Sequence, residues 1–191
     1  MTKIAGRLLL SPFFRIRTEG LAHLPKGGAF LLLPKHQRWE DVPLLGLAVP
    51  KSLYYVAKHE LFRSPLSSWF MTSLGGIPLN RWRPLESRRS MRAVIDLLRK
   101  GEGVVIFPEG TYFKDGMGAG RRGLLRMIRK RVDVPCIPVG IRYADKGGRR
   151  LVRIAFGAPV RAEPGGEETH FLNRIMQEIS RLSEMESPVT G

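Results

Sequence analysis

His36 and Asp41 stand five positions apart in His36-Gln37-Arg38-Trp39-Glu40-Asp41, between an apolar run and the start of a helical pattern. An imidazole and a carboxylate so spaced can meet across a turn that joins a strand to a helix. A carboxylate that accepts from one ring nitrogen fixes the tautomer and leaves the other nitrogen as a base near neutral pH. Such a base can take the proton of a hydroxyl while its oxygen attacks a carbonyl. The spacing alone also fits a surface histidine followed by an aspartate that caps the next helix.

Three other blocks carry residues suited to a site. Phe107-Pro108-Glu109-Gly110-Thr111 follows a β-branched apolar run, and its glycine lets backbone approach a ligand closely. Gly75-Gly76-Ile77-Pro78-Leu79-Asn80-Arg81 delivers one arginine from a short extended piece, in the geometry a phosphate or carboxylate takes. Val134-Pro135-Cys136-Ile137-Pro138-Val139-Gly140-Ile141 reads as sheet core or the wall of an apolar groove. Cys136 is the single cysteine. It excludes an internal disulfide and a cysteine zinc site, and its apolar neighbours predict a buried, inert thiol.

The elements that must position these blocks alternate. Strands are predicted at 28–33, 53–57, 77–79, 103–107, 134–143 and 151–156, and helices at 41–49, 65–74, 84–100, 121–130 and 167–185. Pro84 opens one helix, Met91, Val94, Ile95 and Leu98 give it a 3.6-residue period, and Gly101 closes it. Alternating strands and helices imply an α/β fold: a single layered domain with a mixed, mainly parallel sheet flanked by helices. In such sheets ligands bind at the carboxyl ends of the strands, where His36 and 108–112 are expected to converge, with Arg81 a further candidate.

The chain has 191 residues, 43% of them hydrophobic, and 32 Lys+Arg against 17 Asp+Glu give a net charge of +15. That length suits one domain, and that charge calls for an anionic partner: nucleic acid, acidic lipid or a phosphorylated substrate. No run reaches the roughly 18 apolar residues of a membrane span. Residues 1–15 are set apart from the domain at 16–191 as a short amphipathic helix. Its Lys3, Arg7, Ser11 and Arg15 share one face, with Ile4, Ala5, Leu8, Leu9, Phe13 and Phe14 around it, a pattern suited to a lipid interface and equally to an apolar face packed on the domain. Basic runs at 81–92 and 121–131 suit phosphate backbones too, but they carry apolar residues at helical spacing and no nucleic-acid-binding motif accompanies them. No Gly-x-Ser-x-Gly elbow supports a serine hydrolase.

In their order and spacing the four blocks resemble those of the glycerolipid acyltransferases, specifically the bacterial 1-acylglycerol-3-phosphate (lysophosphatidic acid) acyltransferases. The lead-in Gly20–Gly28 and the link Val56–Phe62 also look like the family's, so the resemblance covers roughly residues 8 to 160. It implies transfer of a fatty acyl group from acyl-CoA or acyl-carrier protein to the hydroxyl of a lysophospholipid, giving phosphatidic acid, without metal or cofactor. The enzyme would rest peripherally on an anionic membrane surface at its cytoplasmic face. By the same resemblance His36 is the general base and Asp41 orients it. Arg81 holds the acceptor phosphate, Glu109, Gly110 and Thr111 shape the acceptor site, and Lys58 adds charge near phosphate or donor. Two positions depart from the family pattern: Lys35 stands where asparagine is usual, and Tyr112 where arginine follows Glu-Gly-Thr. The second departure leaves the phosphate to Arg121 or Arg122, or points to another lyso-lipid acceptor or a catalytically silent lipid binder.

Overall fold

A computed structural model of the chain describes residues 3–80, 82–146, 148–161 and 167–186. Its frame is a seven-stranded sheet: β1 (Phe14–Glu19), β2 (Phe30–Pro34), β3 (Leu53–Lys58), β4 (Gly76–Leu79), β5 (Gly103–Val105), β6 (Cys136–Lys146) and β7 (Arg149–Phe156). The strand order is β1-β7-β6-β2-β5-β3-β4, and every pairing is parallel except the β6–β7 hairpin. The expected mixed, mainly parallel α/β layer is therefore present.

The central strand shows why. Phe30 to Leu33 are each no more than 1% exposed. Leu31 and Leu33 pack on one side with Val94, Leu98, Ile128 and Ile175, while Phe30 and Leu32 pack on the other with Leu44, Leu45 and Ile137. A strand buried on both faces needs a continuous apolar run, and each such side chain contributes about 2 kcal/mol of burial. Helices α4 (Pro84–Arg99), α5 (Arg122–Arg129) and α6 (Glu168–Ser183) cover the first face. Helix α2 (Asp41–Ala48) covers the second. The inner face expected for the terminal helix, Phe171, Ile175, Ile179 and Leu182, is buried. Gly140 lets α6 lie against β6, because a Cβ there would meet Leu182 backbone at 2.3 Å.

Two features differ from expectation near the amino terminus. Helix α1 (Lys3–Leu10) stops before Ser11-Pro12, and Arg15 projects from β1. The helical basic stripe is thus cut, since proline cannot continue the ladder and Phe14–Glu19 pairs along β7. Lys3 does not face outward as a free cation: its Nζ donates to Pro50 O at 2.7 Å and Lys51 O at 3.1 Å, just past the end of α2. Helix α3 (Pro65–Ser73) begins on a capping box in which Ser67 N donates to Ser64 Oγ at 3.1 Å. No described helix is long and apolar enough to cross a membrane.

Candidate active site

The parallel strands β2, β3, β4, β5 and β6 end along one edge, and the sequence blocks meet there. His36 lies just beyond β2, Lys58 ends β3, Asn80 follows β4 and Phe107–Thr111 follows β5. Arg81 lies outside the described residues.

His36 and Asp41 are in contact. His36 Nδ1 is 3.1 Å from Asp41 Oδ2, with the imidazole 12% exposed and the carboxylate fully buried. A carboxylate only accepts, so Nδ1 carries the proton and the Nε2 lone pair is free. Among the described residues no hydrogen bond engages Nε2. Gln37 N and Arg38 N also donate to Oδ2, at 2.7 and 2.8 Å, so the turn's own backbone cradles the aspartate. Tyr143 of β6 donates its hydroxyl to the other oxygen, Oδ1, at 2.6 Å. β6 runs past the end of β2, which places Tyr143 beside the turn. Burial, reinforced by the charge of Asp41, holds the Tyr143 phenol protonated far above the usual tyrosine range.

The imidazole is gripped from both sides. Phe107 stacks on it with ring centroids 3.7 Å apart and planes at 24°, and Tyr112 meets it edge-on at 4.4 Å and 60°. Tyr112 is half exposed, and its phenol is raised by burial and by Asp41 and Glu40.

Lys35 and Glu109 brace this arrangement from inside. Lys35 Nζ lies 2.8 and 2.9 Å from the two Glu109 oxygens and 2.8 Å from Phe113 O. Burial draws the ammonium below the ordinary lysine value, and Glu109 opposes that shift. Glu109 also accepts from His36 N at 2.9 Å and Gly118 N at 2.7 Å. Its carboxylate is 1% exposed and turned inward, so its contacts are with the chain that carries His36. Gly118 lies close under the Phe113 ring, which a Cβ there would meet at 2.1 Å and push aside. Gly110, at φ 68°, turns the chain after Glu109, and Thr111 is half-buried beside it. Lys58 is exposed.

A cleft of about 320 Å³ adjoins this edge, lined by Leu79, Met91, Phe107, Arg121, Leu124 and Met127 among others. Phe107 is the wall it shares with His36. Of the two arginines beyond the loop, Arg121 borders this cleft, its backbone N–H donating to Pro108 O at 2.9 Å, whereas Arg122 reaches Thr169. A second cavity, about 360 Å³, lies between α1, α2, β3 and the turn before β4 and does not include His36. Cys136 is buried as expected, its thiol pushed up to about 12 by burial. Among the described residues no group of three or more His, Cys, Asp or Glu side chains stands together as a metal ligand set.

The Acyltransferase family model matches residues 15–142, which spans every block described above. The chain belongs to the acyltransferase family. Relatives are named for two acceptors. A chloroplastic 1-acyl-sn-glycerol-3-phosphate acyltransferase of Arabidopsis thaliana is 31% identical over 148 residues, 76% of this chain and 41% of that protein. The 1-acyl-sn-glycerol-3-phosphate acyltransferase of Bacillus subtilis is 30% identical over 156 residues, 81% and 69% of the two chains. A lyso-ornithine lipid O-acyltransferase of Pseudomonas aeruginosa is 30% identical over 142 residues, 74% and 53% of the two chains. The crystal structure of the lysophosphatidic acid acyltransferase of Thermotoga maritima has the same fold, with a TM-score of 0.70 at 24% identity over 97% of this chain and 80% of that one. The chain spans about two fifths of the length of the plant relative.

Tyr143 and Lys35 are site residues to which sequence reasoning gave no role, and the bonds of Glu109, expected at the acceptor site, run to Lys35, His36 N and Gly118 N. Tyr143 and Lys35 each act through a partner far along the chain, and neither leaves a local pattern.

Proposed function

We propose that the protein transfers a fatty acyl group from an acyl thioester, acyl-CoA or acyl-carrier protein, to the free hydroxyl of a lysophospholipid, with 1-acylglycerol-3-phosphate as acceptor and phosphatidic acid as product. The observation that carries this reading is a histidine whose Nδ1 is held by a buried aspartate, whose Nε2 is free, and whose stacking partner Phe107 walls an apolar cleft. Nε2 takes the acceptor's hydroxyl proton as its oxygen attacks the thioester carbonyl. The carbon–sulfur bond then breaks, and the proton passes from Nε2 to the departing thiolate. Asp41 keeps the tautomer and balances the imidazolium formed between these steps. Arg121 at the cleft suits the acceptor's anionic headgroup, and the family resemblance gives Arg81 the same part.

Exposed apolar side chains support membrane association. Leu8 and Leu9 on α1, Leu66 and Trp69 on α3, and Trp39 on the His36–Asp41 turn are each more than 60% exposed. Such residues insert at a lipid interface while the net positive charge meets anionic headgroups.

A second reading keeps the chemistry and changes the acceptor. Tyr112 occupies the place where the family pattern has an arginine, and a neutral phenol there suits a headgroup other than a phosphate monoester. The test is incubation with labelled acyl-CoA or acyl-carrier protein and either lysophosphatidate or lyso-ornithine lipid, with products identified by mass. Phosphatidic acid as the main product supports the first reading, and acylated ornithine lipid the second. Full turnover by His36→Ala would overturn the assigned base.

A further inference from the structure

Asp41 has two carboxylate oxygens in different company. Oδ2 receives the His36 imidazole and two backbone N–H groups, whereas Oδ1 has Tyr143 as its hydrogen-bond partner among the described residues. The carboxylate is fully buried, so Oδ1 has no solvent to turn to when that hydroxyl is removed. The 2.6 Å separation is that of a charge-assisted O–H to carboxylate bond. Tyr143 is itself fixed. It sits in the β6–β7 ladder opposite Val152, and the Arg38 guanidinium lies 5.1 Å over its ring. The family blocks stop short of this residue, and the base-and-aspartate reading gives it no part.

We propose that Tyr143 is a positioning residue for acyl transfer, setting the orientation of Asp41 and the strength with which Asp41 holds a proton on His36. The inference rests on the reading of His36 as base. A donor on Oδ1 withdraws charge from the carboxylate and so weakens its pull on an imidazolium. With the donor gone, Asp41 holds the imidazolium more firmly, and His36 must reach higher pH before it is free to act as a base. The other charged or titratable groups about this carboxylate are Lys35, Arg38, Glu40 and Tyr112, from the β2 exit, the turn and the β5–α5 loop. None of them bonds to Oδ1.

The experiment is a pair of variants compared with the full wild-type chain, using acyl donor and lysolipid. Tyr143→Phe keeps the ring under Arg38 and removes only the hydroxyl. Its kcat should fall about tenfold with both KM values within about twofold, and the acid limb of its kcat/KM–pH profile should move to higher pH. 3-Fluorotyrosine at position 143 keeps the hydroxyl and makes it a stronger donor, so the limb should move to lower pH. Opposite displacements of the limb are the signature; a merely structural role lowers activity or stability without moving it in two directions. A limb that stays in place in both variants overturns the inference. His36→Ala separates the two readings. If it abolishes turnover while both Tyr143 variants keep the wild-type profile, only the role of Tyr143 fails. If it retains turnover, the base assignment fails first.

Discussion

Lys35 and Glu109, 74 positions apart, form a buried ion pair that ties the residue before His36 to the loop after β5. Glu109 accepts from Lys35, His36 N and Gly118 N together, so one carboxylate ties the β2 exit to the Gly118 turn of its own loop. Glu109→Gln keeps the shape and leaves the Lys35 ammonium buried without a counter-charge. Breaking a buried pair in this way costs about 3–5 kcal/mol, and kcat should fall as the loop loosens from His36. Replacing both partners, as Lys35→Met with Glu109→Leu, should restore part of the stability and none of the activity. Urea unfolding midpoints of the three proteins decide it. A single variant as stable as wild type would sink the idea.

That pair also marks the boundary of what was legible in the sequence. Local signals were enough for the strand at Phe30–Pro34 and the helix at Pro84–Arg99, because apolar runs and caps are short-range physics, whereas the His36–Asp41 spacing also fitted a surface histidine and a helix cap, and the fold brings the two side chains to 3.1 Å. Long-range pairing decided the rest. Phe14–Glu19 alternates like a strand, yet Lys3, Arg7, Ser11 and Arg15 also fit a helical spacing. The presence of β7 as a partner selects the strand. Lys35 read as a departure from a family pattern, and only the fold shows that its charge is answered by Glu109. Tyr143 had no local mark at all, since its partner Asp41 is 102 positions away.

Phe107 and Tyr112 hold the imidazole by ring contacts alone. Phe107→Ala removes the stacking face and the cleft wall together. The ring then samples other angles while Asp41 still binds Nδ1. Misplacing a reacting group by about 1 Å costs up to roughly a hundredfold, so kcat should drop by about ten- to a hundredfold. Tyr112→Phe preserves the edge-on contact and should keep kcat within about twofold. Steady-state kinetics at saturating donor separate the two; equal losses would show that the phenol hydroxyl, rather than ring contact, matters at Tyr112.

Glu19 on β1 is clasped by Arg153 of β7, with Nη2 2.6 Å and Nε 2.9 Å from Oε2. Its hydrogen bond to Arg153 holds the carboxyl below the usual glutamate value. A carboxyl depressed in the folded state binds fewer protons there than when unfolded. Its stabilising contribution is therefore present above the unfolded value near 4.5 and fades as pH falls through the lower folded value. Glu19→Gln should flatten this part of the acid loss, most clearly at low ionic strength because the pair is exposed to solvent. Thermal melts between neutral and acidic pH measure it. An unchanged slope would assign the acid sensitivity to other carboxyls.

Helices α1 and α3 present apolar side chains to solvent on either side of the same cavity, which Gly6 of α1 and Thr72 and Ser73 of α3 help to line. Ile4, Leu8 and Leu9 come from one helix, and Leu66, Trp69 and Phe70 from the other. Trp39, on the turn between His36 and Asp41, is exposed as well. Burying one large apolar side chain is worth about 1.5–3 kcal/mol, so Leu66→Ala with Trp69→Ala should lower partitioning onto vesicles by at least about a hundredfold. Leu8→Ala with Leu9→Ala should act in the same direction. Flotation with phosphatidylglycerol-containing vesicles measures the loss, and raised salt should weaken binding of wild type and variants alike. If the α3 variant floats as wild type does while the α1 variant does not, α1 alone is the membrane contact and α3 serves another surface.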